Sequence, residues 1–411
     1  MYRFLTPFLC LLLSALLVGC LSAPLAAETE SGPVPELIMV SSADSFWGGV
    51  SFLALSEDGN TFVAGSENDG VGLYRTSDYA PLERYYACEH AAATPDKAES
   101  CKAKAYMRGA GYIDANTWYF AGEVLGKVRE ENKHSIRVRS IHPSREIAVP
   151  DIKGSNGART FPANKDYLLW GSLLIDWRSG KRYTFNIPLH DPRYSPVLIL
   201  TPDNRVITHT DQYVIIDPIH DTMEYWKEAG GTIMITSDNR HAIGISKANY
   251  KCTLWSWPER KKIGHCSERL GIFERRYSDY GEALALSNNG KFFAIGVDND
   301  VRVYRIEPFK IELKVNMPGP VGALALSDDG WLAAYDYKGF LRIWNVATGS
   351  LAGQRSFFDG KTIHGAYAPK LAFQPGSGGR LFTTYKNMTV FEAPKQTAQQ
   401  KTESASGAQK E

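Results

Sequence analysis

The chain has no surplus of charge: 46 Lys and Arg stand against 45 Asp and Glu in 411 residues. Without a basic excess there is nothing to neutralise a phosphate backbone, so nucleic acid is excluded as a partner class. It also lacks the short motifs that carry common chemistry. There is no Gly-x-Ser-x-Gly elbow, no phosphate-binding glycine loop and no His-Glu-x-x-His helix. The nine histidines are scattered, and His190-Asp191 and His220-Asp221 read as turn residues. Cysteine is scarce, and its spacing fits neither a zinc ribbon nor a haem attachment. The reading therefore assigns no catalytic, cofactor or metal residue. Long apolar runs are missing except at the start, where Phe4 to Val18 is almost continuous. That run is too short for a bilayer span, which needs about 20 apolar residues.

The start reads instead as an export signal. Met1 and Arg3 precede the apolar run, and Leu17-Val18-Gly19-Cys20 resembles a bacterial lipobox. The resemblance implies cleavage before Cys20 and lipidation of that cysteine, which anchors the chain to a membrane facing the periplasm. Leu21 is not the aspartate of an inner-membrane retention signal, which leans the destination towards the outer membrane. The alternative is an ordinary signal cut after Ala26 or Ala27, leaving a soluble periplasmic protein. The signal is thus 1–19, or 1–27 in the alternative, and 20–34 is a flexible tether.

Export makes disulfides the expected state of the remaining cysteines. Cys252 and Cys266 flank a hairpin that turns at Pro258-Glu259-Arg260, and folding about Glu259 sets them opposite each other. Cys88 and Cys101 bracket the insert Glu89 to Ser100 and form the second expected bridge.

Gly and aromatic residues are plentiful, and the chain repeats itself. Val50-Ser51-Phe52-Leu53-Ala54-Leu55-Ser56-Glu57-Asp58-Gly59 returns as Gly281 to Gly290 and Gly322 to Gly330. Each copy is an apolar alternating strand closed by a Ser-acid/amide-Gly turn, with a second apolar strand after it. Weaker copies turn at Asp114-Ala115-Asn116, Pro162 to Lys165, Pro202 to Arg205 and Ser237 to Arg240, and a last copy begins at Leu371. From Asp58 to Pro375, seven steps average near 45 residues, the length of a four-stranded propeller blade, about 40–45 residues. The expected fold is all-β: one β-propeller over 35–394 with eight four-stranded blades, or seven if two weak units merge. The last unit lacks a fourth strand, and Glu36 to Val40 has no unit of its own, so an N-terminal strand is expected to close the ring. Residues 395–411 lack apolar content and are expected to be disordered.

Leu341-Arg342-Ile343-Trp344-Asn345 resembles the end of a WD repeat, with Asn345 at the aspartate position. Tyr74, Ile175, Ile216, Trp255, Tyr304 and Phe391 take the place of Trp344, and Asp176 and Asp217 restore the aspartate. The opening Gly-His pair of that family is missing, so its buried His–Asp network is not expected.

The function read from this is a non-enzymatic scaffold in the cell envelope that docks other envelope proteins. Arg275, Arg276, Tyr277 and Tyr280 form the candidate interface, since exposed aromatics beside arginine suit protein contacts. The competing class is a periplasmic propeller enzyme, lactonase-like or quinoprotein-like, working at the ring axis.

Overall fold

A computed structural model describes residues 35–43, 50–67, 70–86, 105–124, 133–147, 152–153, 163–187, 198–209, 213–227, 232–245, 252–266, 283–357, 369–384 and 388–392. Cys20, Cys88, Cys101, Arg275, Arg276, Tyr277, Tyr280, the tether and the C-terminal tail lie outside the described residues.

The described residues form eight antiparallel sheets, the blades of an all-β propeller. Numbered in chain order from blade 1 (52–86), six blades have four strands: blades 1, 4, 5, 6 and 7 in simple up-and-down order, and blade 8 with the N-terminal strand Ile38–Ala43 at its outer edge. In blade 2 the outermost strand comes in two pieces, Arg145–Ile147 and Ile152–Lys153, paired to the two ends of Lys133–Ser140. Blade 3 shows three strands, Tyr167–Trp170, Leu173–Asp176 and Arg182–Thr184, and its innermost position falls largely on residues outside the description.

The sequence dictates which layer each strand occupies. Second strands lie between both neighbouring blades and are apolar along their middles: Thr61–Ser66 is buried at every position, as a strand covered on two faces must be. Outermost strands such as Thr222–Trp226 face water for most of their length.

Eight apolar clusters hold the ring, one across each seam between consecutive blades. Their composition follows from the period of two. Tyr74, Ile175, Ile216, Trp255, Tyr304, Trp344 and Phe391 all pack towards the preceding blade. The residue before each, from Leu73 to Val390, packs towards the following one. A one-residue slip would exchange the two sets, so register and ring order are specified together. The aspartate position of the WD-like pattern also acquires a role. Asp176, Asp217 and Asn345 each accept two backbone N–H bonds from the turn that follows, at 2.9–3.1 Å.

Blade 2 breaks the pattern. Trp118 pairs with Arg139 in the register where Leu332 pairs with Trp344. Arg139 therefore sits at the aromatic position, and it reaches into the seam with blade 1. Its Nε donates to Glu83 at 2.8 Å and its guanidinium lies 5.2 Å from the Tyr85 ring. Tyr85 is thus a seam residue in strand Pro81–Tyr86, packed on Phe120 at 4.6 Å. Burial first, and the Glu83 charge second, push its hydroxyl up to about 12. A folded pKa above the unfolded value of about 10 stabilises the fold fully below pH ~10 and is lost as pH rises towards ~12. The urea midpoint should fall across that interval, and Tyr85→Phe should flatten the fall. An unchanged slope in the variant would remove Tyr85 as the titrating group.

The ring closes as expected. Ile38–Ala43 pairs antiparallel with Met388–Glu392 and supplies the outermost strand of blade 8. The Cys252–Cys266 disulfide also forms, within blade 5, with Thr253 opposite His265 as the fold about Glu259 requires.

Candidate functional site

In each blade the turn between first and second strands lies on one face, and five of these turns share one construction. Ser56, Thr201, Thr236 and Ser287 are fully buried, and Ser327 nearly so. In the first four, the hydroxyl donates to the acid or amide two residues on: Ser56 to Asp58 at 2.6 Å, Thr201 to Asp203 and Thr236 to Asp238 at 2.5 Å, Ser287 to Asn289 at 2.9 Å. The same oxygen accepts the backbone N–H that starts the second strand, at 2.9–3.0 Å. Gly59, Asn204, Asn239, Gly290 and Gly330 then occupy the left-handed region, with φ between 58° and 86°. Gly and Asn recur there because they tolerate that conformation. The repeated Ser-acid-Gly signature is therefore a turn clasp built around a buried hydroxyl. Burial raises the Asp58 carboxyl, but hydrogen bonds from Ser56 and Asn60 outweigh it and hold it below the ordinary range. Thr201 and Arg205 do the same for Asp203.

The clasps are joined from blade to blade. Asn164 Nδ2 donates to Thr201 O at 3.0 Å, and Asp328 accepts the Asn289 N–H at 2.8 Å. Ser237 donates to Asn288 O. Gln374 Nε2 reaches Gly59 O at 2.9 Å across the closing seam. Inside this belt opens a cavity of about 1310 Å³ at the ring axis, lined by residues of all eight blades. Its deeper wall is apolar, with Leu55, Leu286, Leu326 and Leu371, and its rim carries Glu57, Asp114, Asp238, Asp328 and a single lysine, Lys165.

The three rim aspartates are engaged in structure. Asp114 accepts the Asn116 N–H at 2.9 Å, and Asp238 holds Thr236 and the Arg240 N–H. Among the described residues no group of three or more His, Cys, Asp or Glu gathers as a metal site. The turn between the second and third strands of blade 7 lies at the opposite face, and an acid serves it too. Asp336 is fully buried and accepts the Gly319 and Phe340 N–H groups at 2.8 Å. His220 is tied to Asp217 at 2.8 Å within its turn. The seam aromatics are core: Trp118, Tyr119, Trp170, Trp177 and Trp226 are all buried. What sequence reasoning missed is the hydroxyl clasp and the charged pair Glu83–Arg139. The first was signalled by Ser or Thr three residues before each Gly or Asn. The second was signalled by the absence of an aromatic in one unit.

No family model matches the sequence, and no curated protein matches it. Among solved structures, the computationally designed Ika8 protein is similar in fold, at 12% identity and a TM-score of 0.57. The match covers 86% of this chain and 99% of that one. At that identity the likeness speaks for architecture alone, and 1518 solved chains match, so the fold selects no activity.

Proposed function

We propose that this chain is an exported, lipid-anchored β-propeller that docks other proteins of the cell envelope. The observation that carries the reading is the use made of the axial carboxylates. They staple turns and join blades, which yields a rigid polar rim suited to presenting a surface. The buried Cys252–Cys266 bridge supports an oxidising compartment. The lipobox-like Leu17-Val18-Gly19-Cys20 supports anchoring at Cys20, with the outer membrane the favoured destination. The WD-like strand ends read in the sequence, such as Leu341-Arg342-Ile343-Trp344-Asn345, support a docking role.

Cys20→Ser tests the anchor. The mature protein should carry the mass of its acyl groups and sediment with membranes, and the variant should lose both. A variant that stays on membranes would overturn lipid anchoring. Docking is tested by crosslinking and affinity purification from detergent-solubilised membranes, which should return a stoichiometric envelope partner. A second reading, an enzyme or small-ligand site at the axis, is favoured by the size of the cavity and its mixed lining.

A further inference from the structure

The outermost strand of blade 4 differs from every other outermost strand of the ring. Those of blades 1, 5, 6, 7 and 8 each carry a register shift of the β-bulge kind. That of blade 2 is split, and that of blade 3 has three residues. Bulges, breaks and shortness keep a sheet edge from pairing with another chain. Thr222–Trp226 has none of these protections. Its five residues pair with Tyr213–Asp217 in unbroken register. Met223 and Tyr225 are 48% and 53% exposed. Two apart, they share one side of the strand, opposite Ile216 and Val214 of the seam with blade 3. Glu224 points to the other side and meets Arg260 at 2.5 Å.

We infer that this edge pairs with the same edge of a second copy of the chain. Antiparallel pairing about a two-fold axis at Glu224 sets Met223 opposite Tyr225 of the second copy, and Tyr225 opposite its Met223. Apolar side chains then cover each other on one face, the kind of cross-strand pair that stabilises a sheet. On the other face the two Glu224 carboxylates meet, each already neutralised by its own Arg260. The strand thus carries both halves of its own complement, where a different protein would have to supply matching apolar residues at the same spacing. The contact is isologous and saturates at a dimer. Five residues bury less than a standard interface of about 1,600 Å², so the dimer is expected at tens of micromolar protein.

The full chain in detergent tests this by sedimentation velocity and by disulfide crosslinking. The mass should double with concentration, and Tyr225→Lys should restore the monomer without changing the melting temperature. Position 224 lies opposite itself in the proposed register, so Glu224→Cys should form an intermolecular disulfide roughly tenfold faster, or more, than Glu259→Cys on an exposed turn of blade 5. A monomer at all concentrations, a dimer indifferent to Tyr225→Lys, or equal crosslinking at 224 and 259 would each overturn the pairing.

Discussion

Replacing Arg139 with alanine is expected to destabilise the propeller by about 3–5 kcal/mol, the cost of removing one partner from a buried ion pair. The side chains of Arg139 and Glu83 are 15% and 13% exposed, so each charge depends largely on the other. Glu83 collects Arg139 Nε at 2.8 Å, Arg139 Nη2 at 3.3 Å and the Tyr85 hydroxyl at 3.2 Å, together with the Ser144 hydroxyl. Take the guanidinium away and a carboxylate remains in a seam built from Val63, Trp118 and Phe120. The double substitution Glu83→Leu with Arg139→Met should recover most of the loss, because it removes both charges and keeps the volume. Urea unfolding followed by tryptophan fluorescence reads both. A loss below about 1 kcal/mol in Arg139→Ala would mean that the hydrophobic part of the seam carries it alone.

The second large effect is expected at the closing strand. Leu37 is 2% exposed and packs with Tyr335, Leu341, Ala352 and Phe391 across the seam of blades 7 and 8. Its N–H donates to Gln354 O at 3.0 Å, and the Gln354 N–H returns to Pro35 O at 2.9 Å. Leu37→Ala should cost about 2–5 kcal/mol, as cavity-forming substitutions do. Gly353 forms the floor of this contact: a Cβ there would stand 2.6 Å from Leu37 Cδ2. Gly353→Ala in the native background should therefore cost about 1–3 kcal/mol by overpacking. The two substitutions together should cost less than their sum, since the added methyl enters the space that Leu37 vacates. Strict additivity in denaturant midpoints would show that the two positions do not share a contact.

Much of this architecture was legible in the sequence because it rests on local rules. Alternating apolar residues marked the strands, and a Ser-acid/amide-Gly signature marked the turn after the innermost strand in three units, with weaker turn residues in the others. The orphan segment at Glu36 to Val40 gave the closing partner of a blade one strand short, and Ile38–Ala43 takes that place. The symmetry of the hairpin about Glu259 gave the disulfide. What could not be read depends on contacts between distant units. Arg139 stands in the polar strand Lys133–Ser140, and its partners Glu83 and Tyr85 lie more than 50 residues away. The part played by the buried hydroxyls beneath the rim acids was likewise illegible, because it depends on the burial of Ser56, Thr201, Thr236 and Ser287 in the folded ring. The candidate interface at Arg275, Arg276, Tyr277 and Tyr280 and the pair Cys88 and Cys101 stand outside the described residues, and the expectations for them rest on sequence.

The closing strand also sets an order of events. Met39 lies opposite Phe391, so the first strand of the ring to leave any synthesising or exporting machine waits for the last. Until Met388–Glu392 has emerged, Ile38–Ala43 has no partner strand and blade 8 cannot be completed. Closing so long a loop costs only slightly more entropy than closing a moderate one, but it places the slowest contact at the end of folding. For nearly its whole passage the chain is an open arc of blades with two unsatisfied ends. That is the period in which a chaperone would find something to hold.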